Sequence, residues 1–169
     1  MAPLFEIRNE DQMTERRVGF KVSGDKVVVI DAEVPDDGPI VLLADHTWSL
    51  QKGAREDAYN VIYQQVANYI REHEIKRVVL KASAVNVRGS MKLAHLESAE
   101  VRGVVIAAAR SICPVRSVTK ATISRRFGNR SVDEYVKDDT FWTENTEGVY
   151  LRAGSREAAL LLIAARSAA

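Results

Sequence analysis

Apolar residues in the first quarter of the chain form short β-branched runs separated by turn residues. Residues 18–22 and 27–30 are predicted strands, because the Ser-Gly-Asp turn between them suits a tight hairpin. A third strand starts at residues 40–43, after the five turn-forming residues 35–39. Hairpin-length connections join antiparallel neighbours. These runs therefore predict a three-stranded antiparallel meander.

Helical periodicity dominates the remainder of the chain. Apolar residues recur at the spacing of an amphipathic helix over residues 54–73, 91–110 and 155–165. In the second of these helices, the apolar stripe that begins with Leu93 and Leu96 is expected to face the sheet. We therefore expect three main helices, each covering a face of a sheet.

Two short apolar segments lie between the predicted helices, at residues 77–82 and 115–119, and are predicted as the fourth and fifth strands. A helix between two strands allows a right-handed crossover to a parallel position. The order of elements predicts an α/β domain with a mixed five-stranded sheet, in which three antiparallel strands are followed by parallel crossovers. Helices flank both faces of this sheet.

Length and composition fit a single domain. Of the 169 residues, 46% are hydrophobic and 28% are charged, which excludes a disordered chain. Residues 17–169 are assigned to this domain, and residues 1–16, which are polar and lack a clear period, to an N-terminal tail or arm. The longest apolar run, residues 158–165, is far shorter than the roughly 20 residues that span a bilayer. With a single cysteine as well, we expect a cytoplasmic protein without membrane contact.

Positive charge is concentrated after the fifth strand, although the formal net charge is only +1. Lys120, Arg125, Arg126 and Arg130 lie in a segment without acidic residues, which includes a predicted short helix over residues 121–127. Such a patch either contacts nucleic-acid phosphates or forms a solvated polar face.

Residues 93–109 read LAHLESAEVRGVVIAAA. They resemble the helix of RuvC-type Holliday-junction resolvases in which an arginine-glycine pair precedes an alanine-rich apolar half. Residues 114–120 resemble the strand that follows, and the order of elements is similar over residues 17–166. The resemblance implies a ribonuclease H-like fold, DNA or RNA as a partner, and a homodimer or larger assembly to which the helix over residues 91–110 contributes.

Nucleases of that family hold divalent metal with an aspartate on the first strand, a glutamate at the end of the fourth and acids at the start of the last helix. Here Lys21 and Lys81 fall at the two strand positions, and only Glu157 matches in type. Metal needs several anionic oxygens, and ammonium groups reverse the field that attracts it. The resemblance therefore implies a catalytically degenerate domain without a cofactor. If the two strands are neighbours, the lysines meet there. Either they replace the metal and bind a phosphate or pair with Glu157, or they are solvated or salt-bridged lysines at a decayed active site.

Three functions remain open. The leading hypothesis is a nucleic-acid-binding or protein-interaction module in a DNA-processing assembly, which contacts phosphates through the two lysines and the basic segment. The alternative is a divergent endonuclease that holds magnesium or manganese with Asp25 or Asp31, Glu157 and one of the acids near Asp138, and the nucleic-acid backbone with Arg125 and Arg126. A structural partner protein without nucleic acid is the third, because the overall charge is nearly neutral. The histidines lack the spacing of metal ligands, so no zinc site is predicted.

Overall fold

The predicted antiparallel meander is present in the computed structural model, which describes residues 13–84, 88–126 and 130–166. Its strands are β1 (Glu15–Ser23), β2 (Lys26–Val34) and β3 (Ile40–Ser49). β1 pairs antiparallel with β2, and β2 with β3. β1 begins two residues before the predicted start of the domain, because Glu15 and Arg16 pair with Val34 and Glu33 of β2. Most of the predicted tail, residues 1–12, lies outside the described residues.

Helices and parallel strands follow the meander, and the predicted ones occur in the predicted order. The helix Asp139–Asn145 and the strand Thr146–Gly148 were not predicted. These elements are α1 (Arg55–Glu72), β4 (Arg77–Lys81), α2 (Leu93–Arg110), β5 (Val115–Val118), α3 (Lys120–Arg126), α4 (Val132–Lys137), α5 (Asp139–Asn145), β6 (Thr146–Gly148) and α6 (Arg156–Ala165). A short 3-10 helix over Ala153–Ser155 leads into α6. β4 pairs in parallel with both β1 and β5. The predicted mixed sheet with parallel crossovers is therefore confirmed.

Within the described residues, the sheet has six strands in the order β5-β4-β1-β2-β3-β6, so the predicted count of five is wrong. The additional strand, β6, is the tripeptide Thr-Glu-Gly, which pairs in parallel with β3 and shows no apolar alternation in the sequence. Its backbone comes very close to β3, since a Cβ atom on Gly148 would lie 2.2 Å from the Leu42 carbonyl oxygen. Gly148 also has a φ of +92°, a conformation that favours glycine.

The side chains of each strand alternate between two apolar layers. On one face, Val18 and Phe20 of β1 pack with residues of α1 and α2. On the other face, α6 packs with residues of β2, β3 and the short helices. Gly19 faces α6, and a Cβ atom there would lie 2.4 Å from the Ala158 carbonyl oxygen. The missing side chain lets the start of α6 lie directly on β1, which places α6 over the centre of the sheet.

The first turns of α2 extend past the sheet. The 18 residues of α2 span about 27 Å, whereas the five residues of β4 span about 17 Å. Leu93 and Leu96 are 70% and 49% exposed, and the first buried residue of α2 is Val101. The expectation that Leu93 and Leu96 pack on the sheet is therefore wrong, because the strands end before these residues.

No helix within the described ranges has both the length and the apolar character that a membrane span needs.

Candidate functional site

Two lysines hold one carboxylate at the carboxyl ends of two neighbouring strands. β1 and β4 are parallel neighbours with Phe20 opposite Leu80, so Lys21 and Lys81 occupy the next position on each strand. Lys21 Nζ lies 2.8 Å from Glu157 Oε2, and Lys81 Nζ lies 2.6 Å from Glu157 Oε1. The predicted meeting of the two lysines is confirmed. Of the two partners considered for them, the structure shows Glu157.

The cluster of Lys21, Lys81 and Glu157 is partly shielded from water. The Glu157 side chain is 12% exposed, and each lysine side chain is 23% exposed. Burial raises the pKa of Glu157, but the two ammonium groups lower it further, so that the net shift is downward. Glu157 is thus a carboxylate at neutral pH. Two ammonium groups and one carboxylate give the cluster a net charge of +1, which favours an anion over a cation.

The cluster lies where three parallel strands end. β5, β4 and β1 are neighbours in the sheet and run in the same direction, so their carboxyl ends share one edge. Lys21 lies near the end of β1, Lys81 is the last residue of β4, and Lys120 follows β5 by two residues. Ligands of open α/β sheets bind outside the carboxyl ends of the strands. This carboxyl edge is therefore the candidate functional site.

Folding neutralises part of the basic segment predicted from the sequence. Lys120 Nζ lies 3.5 Å from Asp133 Oδ1, and Arg130 Nη2 lies 2.8 Å from Asp138 Oδ2. The Arg130 guanidinium also lies over the Tyr135 ring, 4.5 Å from its centroid. The segment has no acid along the chain, but α4 and the start of α5 supply two.

The other two predicted phosphate contacts, Arg125 and Arg126, are exposed in the last turn of α3. Arg125 Nε donates to the carbonyl of Ala121, one turn earlier, at 3.3 Å. α3 begins two residues after β5, so its first turn lies at the same edge as the cluster. The predicted end of this helix, Phe127, lies outside the described residues.

Asp31 is fully buried on the opposite face of the sheet from Glu157. It accepts from Arg16 Nη2 at 2.7 Å and from the Tyr69 hydroxyl of α1 at 2.7 Å. Burial and the neighbouring carboxylate raise the pKa of Tyr69 above its ordinary range, so its hydroxyl remains a donor. Asp31 thus links α1 to the sheet. The sheet separates it from Glu157.

The remaining acids of the nuclease alternative also have other partners. Asp25, in the turn between β1 and β2, lies 3.2 Å from Arg55 Nη1. Asp138 caps α5 by accepting from the backbone N–H of Phe141 at 3.0 Å. In the part of the chain that the structure describes, no three histidine, cysteine, aspartate or glutamate side chains converge as metal ligands would. The structure does not bring these acids to Glu157.

Ser83 and Arg102 are two polar residues at this edge that the sequence analysis did not select as site residues. Arg102 Nη1 donates to Ser83 Oγ, just beyond the end of β4. The sequence does contain one signal that Arg102 lacks an ion-pair partner on its own helix. The positions one turn away are Ser98, Ala99, Val105 and Ile106, and none is acidic.

Comparison with known proteins gives matches in structure but not in sequence. No protein-family model matches the chain, and no curated protein does. RuvC from Thermus thermophilus superposes with a TM-score of 0.68 over 90% of this chain and 95% of its own, at 13% identity. In a complex with a Holliday junction, RuvC from the same organism superposes with a TM-score of 0.68 over 88% and 91% of the two chains, at 10% identity. The yeast mitochondrial Holliday junction resolvase gives a TM-score of 0.62 over 94% and 80%, at 11% identity.

Proposed function

The chain has the RuvC-type ribonuclease H-like fold, and we propose that it is a pseudo-nuclease: a metal-independent domain that binds nucleic acid through the carboxyl edge of its sheet. The observation that carries the proposal is the pairing of both Lys21 and Lys81 with Glu157. A cluster of net charge +1 attracts phosphate, where a metal site requires several free carboxylate oxygens. The proposed location is the cytoplasm, in agreement with the free thiol of Cys113.

Electrostatics favours phosphate over metal at this cluster. Two unit charges about 4 Å apart interact with about 1 kcal/mol in water and about 4 kcal/mol near a protein surface. Each lysine repels a divalent ion by twice the single-charge energy, and Glu157 already has an ammonium on each oxygen. A phosphate would be attracted by both lysines and repelled by Glu157 alone. The balance supports binding without metal-dependent cleavage.

Further basic residues lie beside the lysine cluster. The exposed Arg125 and Arg126 add positive charge beside this edge, because they lie in the last turn of α3, which begins there. Among the structures with this fold, one RuvC is bound to a Holliday junction. DNA is therefore the proposed ligand, with Lys120 and Arg130 at the margin because they are paired with Asp133 and Asp138.

A salt titration of DNA binding tests the proposal. We expect the wild-type chain to bind branched and duplex DNA in EDTA, with an affinity that falls steeply with salt. Each neutralised phosphate contributes about 0.9 to the slope of log affinity against log salt, so Lys21→Gln with Lys81→Gln should reduce the slope by about 1 to 2. The matched control is Lys26→Gln with Lys76→Gln, which removes two exposed lysines elsewhere.

Three results would overturn the proposal. If the wild-type chain does not bind DNA, or if the control pair weakens binding as much as the site pair, the carboxyl edge is not a phosphate surface. If the chain cleaves DNA in manganese and Glu157→Ala abolishes cleavage, it is a nuclease. No binding together with self-association would indicate a structural partner protein.

The homodimer is also part of the proposal, through a groove between α1 and α2. Tyr59, Tyr63, Gly103, Val104 and Ala107 line this groove. A Cβ atom on Gly103 would meet nothing within 4 Å, so packing inside the chain does not explain a mid-helix glycine that costs about 1 kcal/mol. A second copy whose helix approaches closely along a two-fold axis would explain it.

The oligomeric state tests the proposed dimer. Sedimentation of the wild-type chain should show a dimer, and Ala107→Arg should give a monomer, because a guanidinium would enter the apolar contact. The control is Gln65→Arg, at an exposed α1 position that does not line the groove. A monomeric wild-type chain at high concentration would overturn this part of the proposal.

A further inference from the structure

Arg102 is a half-buried cation without a carboxylate partner in the described ranges. Its Nη1 donates to Ser83 Oγ, and its Nε is buried and has no acceptor there. Burial lowers the pKa of Arg102, because the charged guanidinium is partly shielded from water. A shielded charge is costly unless it is paired.

Comparison with the other arginines singles out Arg102. Four further arginines have a buried nitrogen without an acceptor in the described part of the chain, and each of them forms an ion pair with a carboxylate: Arg17, Arg55, Arg77 and Arg156. Arg102 differs because its partner in the described residues is the Ser83 hydroxyl rather than a carboxylate. The charge of its guanidinium is therefore not neutralised within this part of the chain, and it can pair with an anion from outside the domain.

The position of Arg102 relates it to the lysine cluster. Ser83 lies two residues beyond Lys81, a separation of about 7 Å along an extended chain. Arg102 reaches this point from α2, beside the carboxyl ends of β1 and β4. The contact between Ser83 and Arg102 thus lies at the same edge of the sheet as Lys21 and Lys81.

We propose that Ser83 and Arg102 form a second phosphate subsite, which takes a backbone phosphate next to the one held by Lys21 and Lys81. This rests on the proposed function, since it assumes that nucleic acid lies along the carboxyl edge. The planar guanidinium offers paired N–H donors to phosphate oxygens. The Ser83 hydroxyl accepts from Arg102 and donates its own proton to the phosphate. Two subsites along one edge orient a nucleic-acid strand, which one subsite alone does not.

DNA binding and thermal stability of Arg102 variants test this subsite. Arg102→Gln should weaken DNA binding by about tenfold and reduce the salt slope by about 0.7 to 0.9. Arg102→Lys should keep the salt slope, because the charge remains. It should weaken DNA binding, because the paired N–H donors of the guanidinium are lost. Ser83→Ala should lose affinity without a change in slope. The matched control is Arg110→Gln, an exposed arginine in the last turn of the same helix.

A structural role of Arg102 predicts a different result. If Arg102 forms the proposed subsite, Arg102→Gln should leave the melting temperature of the DNA-free chain unchanged or raise it, because the substitution removes a shielded charge that has no acid partner. A large fall in melting temperature, with an unchanged salt slope, would show that Arg102 supports α2 and would overturn the subsite.

The failure of this subsite and that of the proposed function give different results. If the Lys21 and Lys81 variants reduce the salt slope and Arg102→Gln does not, only the second subsite is wrong. If Arg102→Gln reduces the slope and the lysine variants do not, the proposed role of the lysine cluster is wrong. If the wild-type chain binds no DNA, both are wrong.

Discussion

Lys21 of β1 and Lys81 of β4 share one carboxylate, with Nζ atoms 2.8 Å and 2.6 Å from the two oxygens of Glu157. The three residues come from distant parts of the chain and meet because β1 and β4 are parallel neighbours and α6 lies on Gly19. The cluster therefore has two roles that can be separated by experiment. Glu157 holds the lysines in place, and the lysines carry the excess positive charge.

Replacement of Glu157 should affect stability and DNA binding in opposite directions. Glu157→Gln leaves two shielded ammonium groups without their carboxylate, which should lower the free energy of unfolding by about 1–3 kcal/mol. The same change raises the net charge of the cluster from +1 to +2, so DNA affinity should rise. Denaturant unfolding and a DNA titration measure the two effects. Glu144→Gln, at an exposed position of α5, is the control and should change neither.

The stability of the chain should fall at acidic pH because of Glu157. Its pKa in the folded state is below the ordinary value of 4.5, since the lysines outweigh burial. The unfolded chain then takes up the proton first, so this stabilisation is complete above pH 4.5 and is lost as the pH falls through the folded pKa. Denaturant unfolding between pH 3 and 7 should show a smaller loss for Glu157→Gln than for the wild-type chain. If the free energies of unfolding of the two proteins fall in parallel as the pH is lowered, the lowered pKa of Glu157 is contradicted.

Exchange of the two lysines for acids should create a metal site. Lys21→Asp with Lys81→Glu places three carboxylates together, and oxygen ligands of this kind bind divalent ions. We expect saturable Mn²⁺ binding by calorimetry in this double variant and none in the wild-type chain. Lys26→Asp with Lys76→Glu makes the same change of charge at exposed positions and should not bind. Tight Mn²⁺ binding by the wild-type chain would contradict the metal-independent function.

Two glycine substitutions should have opposite effects on stability. A Cβ atom on Gly19 would lie 2.4 Å from the Ala158 carbonyl oxygen, so Gly19→Ala should displace α6 and cost about 1–3 kcal/mol. A Cβ atom on Gly103 would meet nothing within 4 Å in the chain, so Gly103→Ala should stabilise α2 by about 0.5–1 kcal/mol. Unfolding at low protein concentration measures both. If Gly19→Ala and Gly103→Ala change the free energy of unfolding equally, the close approach of α6 to Gly19 is not what places Glu157.

Local pattern was sufficient to predict most elements, and it failed where an element lacks a local signal. β-branched runs and helical stripes predicted the meander and the three main helices within a few residues. β6 has no apolar alternation and exists because the backbone of Gly148 meets β3, so a sixth strand could not be predicted from local pattern. The exposed start of α2 was also missed, since a hydrophobic stripe does not reveal where the neighbouring strands end.

Residue identity alone sets the chemistry at the expected catalytic positions, because it does not depend on folding: lysine at 21 and 81, glutamate at 157. The use of these charges depends on the folded arrangement of the chain. It placed Glu157 between the lysines, paired Lys120 and Arg130 with acids from later helices, and left Arg102 with a serine alone among the described side chains. Charge interactions depend on distances between segments far apart in the chain, and these distances are set by strand register and helix packing.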